Sequence, residues 1–216
     1  MGTVVAVNVV HTLRPDTFNG AGLTAIDKRP VAGRVPIGPN GVRGDRSMDV
    51  VDHGGRDKAV YAYASEDLQW WAQQLGRELV PGQFGENLTT TGLDMTGALV
   101  GERWRLGGAA GAVVEVTMPR TPCVTFATWL GEPRWVRRFT NHGAPGAYLR
   151  VLEPGLVAAG DAVEVVHRPS HGVSIGDCFG QVDPAKARRL LEAADAGEVD
   201  LAPDLRPYTE TAAARA

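Results

Sequence analysis

Glycine and proline punctuate this chain so often, at 27 and 14 of 216 residues, that it has room for short strands and turns rather than long regular elements. Between the breaks, six segments rich in Val or aromatic residues read as strands: 3–10, 59–64, 98–106, 112–118, 147–152 and 162–167. Helices are the minority before residue 170. Ser65 reads as a helix cap, with Glu66 and Asp67 in the first turn, Leu68, Trp71 and Leu75 on one face, and Gly76 at the end. Trp70 and Trp71 would anchor that helix to a sheet, and a weaker helix runs through 135–139.

The character changes after Pro169. Asp183-Pro184 is a cap followed by proline at the first helical position, and 185–196 places Ala187, Leu190, Leu191 and Ala194 on one face before Gly197 stops it. Segments 173–179 and 201–205 are expected to add short flanking helices, and the tail 209–216 to fray. The expected organisation is a β-rich domain over 1–168 and a small helical one over 169–216.

Hydrophobic content of 44% and charged content of 22% are those of a globular protein, and a net charge of -3 gives no argument for a nucleic acid polymer as partner. Two cysteines, Cys123 and Cys178, are too few for a disulfide framework, a zinc ribbon or a protein-held iron–sulfur cluster. The N-terminal residues lack the basic region and apolar core of a signal peptide, and no apolar run approaches the ~20 residues of a membrane span. A reduced, cytoplasmic protein with no membrane partner is expected.

The densest chemistry lies in Met118-Pro119-Arg120-Thr121-Pro122-Cys123, just after the apolar run 112–116. Neither proline suits a central strand, so a strand ending at Met118 should deliver a rigid elbow carrying Arg120 and Cys123. A guanidinium beside a thiol favours the thiolate, the form that attacks electrophiles and binds soft metals. A small buried hydrophobe is the alternative role for an isolated cysteine. Residues 44–58 crowd charges and His53 around Gly54-Gly55, either as a polar pocket or as a solvated loop. In 81–89, a Pro-Gly turn precedes Glu86, a candidate acid or base, and Asn87, a two-way hydrogen-bonding clamp, with turn chemistry alone an equal reading. Zinc is a poor reading, with no second histidine at ligand spacing, and no Gly-x-Ser-x-Gly elbow marks a serine hydrolase.

Six segments in order carry a resemblance: Thr-Ala-Ile-x-Lys-x-Pro-Val (24–31), Gly-Asp (44–45), His-Gly-Gly-x-Asp-Lys-Ala-Val-Tyr (53–61), Pro-Gly-x-Phe-Gly-Glu-Asn-Leu (81–88), Pro-Arg-x-Pro-Cys (119–123) and Tyr-Leu-Arg-Val-Leu (148–152). Together they resemble the MOSC family, named for the C-terminal domain of molybdenum cofactor sulfurases, and within it the stand-alone bacterial YiiM-like branch. The resemblance spans roughly residues 3–200. It implies a mainly β fold with some α, a MOSC-type β-barrel followed by a small three-helix appendage. It also implies a molybdenum cofactor (molybdopterin) whose metal is held by Cys123. Arg120, Lys58 and Lys28 are the expected partners of its phosphate, with His53, Asn87 and Arg150 completing the pocket. Cys178 falls outside every matched motif and is expected to be structural. Val124-Thr125-Phe126 is more apolar than that branch implies, which bears on substrate preference.

Three functions follow from the resemblance. One is reduction of a small N-hydroxylated substrate, such as an N-hydroxylated base or amidoxime, at a metal held by Cys123. With no flavin or nicotinamide fingerprint and no cluster, that chemistry implies a separate electron-donor reductase. The second is a non-catalytic cofactor carrier, and the third a sulfur carrier with a persulfide on Cys123. A homodimer is left open.

Overall fold

Alternation along β5 (Val60–Ala64) explains why the molecule has two apolar layers. Val60, Ala62 and Ala64 join one cluster, whereas Tyr61 and Tyr63, pointing the other way by the period of two, join a second made largely of aromatic rings. The structure is a computed structural model that describes residues 2–49 and 53–215; Val50, Val51 and Asp52 of the charged segment lie outside it.

Seven strands close into a mixed barrel among the described residues. In spatial order they are β11 (Ala162–His167), β7 (Arg103–Leu106), β8 (Ala112–Pro119), β9 (Ala147–Glu153), β5, β6 (Leu88–Thr91) and β1 (Gly2–Pro15), with β1 pairing back onto β11. Only β5 and β6 run parallel; the other barrel neighbours are antiparallel. The first half of β1 closes the ring through Gly2 and Thr3, and its second half pairs with β2 (Leu23–Pro30) from Asn8↔Pro30 to Pro15↔Leu23. A small sheet of β3 (Val35–Gly38), β4 (Gly41–Val42) and β10 (Gly155–Val157) lies beside the barrel.

The expected strand 98–106 is shorter than the sequence suggests. Gly101 adopts φ 85°, a left-handed turn conformation, and only Arg103–Leu106 is extended. Ser65 is the first residue of α1 (Ser65–Leu75) and not its cap; its hydroxyl donates to Glu66 Oε2, while Glu66 Oε1 accepts from Thr91 and the Gly92 amide. Gly76 ends α1 at φ 62°, as expected. Two helices follow β8: α2 (Val124–Leu130) and α3 (Trp135–His142). With α1 they bury Trp71, Phe126, Trp135 and Phe139 against Tyr63 and Phe84 on the outside of the barrel.

Beyond residue 168 come a 3₁₀ turn (Gly176–Cys178), α4 (Pro184–Asp195) and α5 (Arg206–Ala213), so the helix expected over 173–179 is a single turn and the one expected over 201–205 begins only at Arg206. Asp183 caps α4 by accepting from the Ala185 and Lys186 amides. The tail is helical through Ala213 rather than frayed, because Thr209 and Ala212 are buried. Leu190, Ala193, Leu201 and Leu205 share an apolar cluster with the barrel interior.

Candidate functional site

The elbow after β8 opens directly into α2, and Cys123 occupies the position before its first turn. The thiol is half-buried and lines a cleft of about 460 Å³. Six of the seven candidate residues converge there: Cys123, Arg120, Lys58, His53, Asn87 and Lys28.

Arg120 is buried, and its Nη1 donates to the Phe84 carbonyl. The guanidinium carbon lies 4.7 Å from the centroid of the Tyr61 ring and 4.8 Å from that of Phe126. These two faces hold the cation by its charge–quadrupole attraction, and Nε has no hydrogen-bond partner among the described residues. Burial acts to discharge Arg120, but Tyr148, Tyr61 and Cys123 beside it outweigh that and hold its pKa above the ordinary value.

Lys28 on β2 is largely buried and contacts Asp45 Oδ2 at 2.6 Å. Burial is the main influence lowering its pKa, and Asp45 partly offsets it. The same carboxylate accepts from Asn87 Nδ2 at 2.7 Å and from the Val10 amide at 2.9 Å. Asn87 is the expected two-way clamp, since its Oδ1 accepts from the Tyr61 amide at 3.1 Å. Lys58, after the Gly-Gly turn, pairs with Asp204 at 2.5 Å.

Glu86 takes the second of its two expected roles, in the turn, rather than that of an acid or base. It is fully buried, and its carboxylate accepts from the Gly82 amide, the Phe84 amide and Thr89 at 2.6, 3.0 and 2.8 Å. That clamp shapes the Pro81–Gly85 turn. At Gly82, with φ 87°, a Cβ would lie 2.5 Å from the Lys28 carbonyl, so only glycine lets the turn press against β2.

Arg150 is not brought to the cleft. It is 1% exposed within the structure's interior, with Asp57 Oδ1 at 3.0 Å, Glu115 Oε1 at 3.6 Å and the carboxylate of Asp200 around it. Its Nη2 also donates to the Asp200 carbonyl at 2.6 Å. Its task is to tie the segment before α5 to the barrel. Cys178 is likewise buried, and burial pushes its thiol up to about 12.

Arg46 and Arg56 were not singled out from sequence, yet both line the cleft. Their signal was adjacency: Arg46 follows Gly44-Asp45, and Arg56 follows Gly54-Gly55. The lining thus carries five cations (Lys28, Arg46, Arg56, Lys58, Arg120) and two carboxylates (Asp45, Asp49), with Arg56 and Lys58 also paired to Asp200 and Asp204 outside the lining, in a chain whose net charge is -3. Such a concentration of one sign favours an anion. No group of three His, Cys, Asp or Glu side chains among the described residues could hold a bare metal ion. One thiol amid cations fits a metal that arrives with its own organic, phosphate-bearing ligand.

His53 Nδ1 lies 2.9 Å from the Tyr148 hydroxyl. Burial, then Arg120, pull its pKa from 6.5 down to about 4, so the imidazole is neutral at neutral pH. The unfolded chain therefore takes up this proton first as pH falls. Between pH 7 and 4 that linkage removes about 3 kcal/mol of stability. Urea denaturation at both pH values should show a pH-dependent loss smaller by about that amount in His53→Gln; equal losses in the two proteins would contradict it.

A model of the MOSC domain matches residues 49–164, more than half of the chain. The chain belongs to the MOSC domain family. It is 40% identical over 152 residues to the protein YflK of Bacillus subtilis, covering 70% of this chain and 67% of that one. Protein YiiM of Escherichia coli is 31% identical over 164 residues, 74% of this chain and 72% of YiiM. A Gibberella moniliformis protein named Reductase is 29% identical over 160 residues, 73% of this chain but only 28% of that protein. The crystal structure of YiiM from Geobacillus stearothermophilus superposes with a TM-score of 0.77 at 27% identity, covering 99% of this chain and 100% of that one. Family membership associates this MOSC chain with the molybdenum cofactor. No helix among the described residues is long and apolar enough to cross a membrane.

Proposed function

We propose that this MOSC protein binds the molybdenum cofactor in the cleft, with Cys123 as the protein ligand to the metal, and reduces N-hydroxylated compounds. The observation that carries this reading is a single accessible thiol set among five cationic side chains. Arg120 and Lys28, fixed by Phe84 and Asp45, would hold the cofactor's phosphate together with Lys58, Arg46 and Arg56. Asn87 would keep Lys28 in place by holding Asp45. The cofactor, when bound, supplies two-electron chemistry at a metal with affinity for the oxygen of an N–O bond. Reduction of N–OH to N–H takes two electrons and two protons and releases water. The Tyr148 hydroxyl, held by His53 at the cleft, would hydrogen-bond the N-hydroxyl group of the substrate.

The electrons come from a separate reductase. The relative named Reductase supports this, since most of its length lies outside the shared region.

The test is anaerobic turnover of an N-hydroxylated base with a reduced viologen dye, using protein from a host that makes the cofactor. Wild type should turn over and Cys123→Ser should fall to background. Loaded wild type without turnover would favour the carrier reading, and a persulfide mass increase on Cys123 would favour sulfur transfer.

A further inference from the structure

A single 3₁₀ turn, Arg56–Lys58, stands between the cleft and the helical appendage. Its middle residue fixes it to the barrel. Asp57 Oδ1 lies 3.0 Å from Arg150 Nε, and the Asp57 carbonyl accepts from Thr117 Oγ1 at 2.6 Å. The two flanking cations line the cleft, yet both also reach carboxylates of the segment before α5. Arg56 Nη1 lies 3.0 Å from Asp200 Oδ2, and Lys58 Nζ lies 2.5 Å from Asp204 Oδ2. The appendage thus supplies counter-charge, from outside the cleft, to two of the cations that line it.

Burial is uneven along that segment. Val199, Leu201, Ala202 and Leu205 are buried and anchor it to the apolar cluster shared with the barrel interior. The Asp200 and Asp204 side chains between these anchors are 60% and 58% exposed. The Lys58 side chain is only 8% exposed, so a nearby anion stabilises its ammonium. Exchanging one anion for another at Lys58 costs little on the aspartate side, because a released Asp204 is already largely in water. Asp200 is tied more firmly, since Arg150 holds its carboxylate and its carbonyl as well. Asp204 has Lys58 as its ion-pair partner among the described residues and lies two residues before α5. It is therefore the contact most free to exchange.

We propose that Asp204 is an internal competitor for the anion site. It holds Lys58 while no anion is bound; a phosphate group in the cleft takes Lys58 from it and loosens the segment 199–205 and the first turn of α5. The inference rests on the reading of the cleft as the seat of the cofactor's phosphate, and adds to it a coupling between that seat and the appendage. Coupling of this kind is reciprocal: removing Asp204 strengthens anion binding by as much as the anion weakens the Asp204 contact.

Inorganic phosphate is titrated by calorimetry, at constant ionic strength, into wild type, Asp204→Asn and Asp195→Asn. The last removes another exposed carboxylate of the appendage, one that pairs with Arg206 instead of a cleft cation. Asp204→Asn should bind phosphate about two- to fivefold more tightly than wild type, and Asp195→Asn should match wild type. Hydrogen exchange supplies a second readout at the amides of Leu205, Arg206 and Thr209, which donate to the Ala202 and Leu205 carbonyls. Phosphate should speed exchange at these amides in wild type but not in Asp204→Asn. Equal phosphate affinity in wild type and Asp204→Asn, or slower exchange at these amides in phosphate-bound wild type, would overturn the coupling and leave the cleft reading intact. Equal tightening by Asp195→Asn would reduce the effect to overall charge and overturn the coupling too. Phosphate binding by none of the three would be a failure of the anion site itself, and the coupling falls with it.

Discussion

Arg150→Met is expected to destabilise the protein by about 3–5 kcal/mol, the cost of removing one partner from a buried charge cluster. For a chain of this size that lowers Tm by roughly 6–20 °C. Among the described residues, Glu115, 4% exposed, keeps Arg103 at 2.8 Å and Asp200 keeps Arg56 at 3.0 Å, while Asp57 loses its cation. The segment 199–205 loses its bond through the Asp200 carbonyl, so limited proteolysis should cut there first. Asp200→Asn is the contrasting variant. Asp200 is 60% exposed, and its loss should cost much less. Thermal unfolding and protease mapping of both variants check this, and an unchanged Tm in Arg150→Met would contradict it.

The second large effect is expected at Glu86. Glu86→Ala removes the acceptor for three buried donors, each costing about 1–3 kcal/mol when unsatisfied, so a loss of at least about 3 kcal/mol follows. The turn it clamps supplies the Phe84 carbonyl to Arg120 and the Gln83 carbonyl to Trp129. Loosening it should therefore reduce cofactor retention along with stability. Glu86→Gln keeps the volume and one acceptor oxygen and should lose less of both. Urea midpoints paired with molybdenum content test the coupling. Full stability in Glu86→Ala would show that the turn holds without its clamp.

How far the sequence discloses this molecule depends on the range of the interactions. β5 and β9 were legible because short runs rich in Val and aromatic residues mark strands locally, and α4 because Asp183-Pro184 and Gly197 bracket it. β2 was hidden by Asp27-Lys28-Arg29; Asp27 can be fully buried there because Arg14 and Arg29 neutralise it. α2 was hidden behind two prolines and threonines, although Phe126, Leu130 and Gly131 marked its buried face and its stop. Arg150 shares a strand with Tyr148, which does reach the cleft, but its partner Asp200 is fifty residues away and belongs to a segment with no motif. The convergence of Cys123, Arg120, His53, Lys58, Lys28 and Asn87 was visible only as an ordered set of motifs, since no spacing rule brings 28, 53, 87 and 123 together.

The most direct test is molybdenum and pterin content per chain, for wild type and Cys123→Ala, purified from a host that makes the cofactor. A single-thiolate site predicts about one molybdenum per wild-type chain and loss of the metal in the variant. Absence of metal from both proteins, or equal metal in the two, would contradict Cys123 as the ligand.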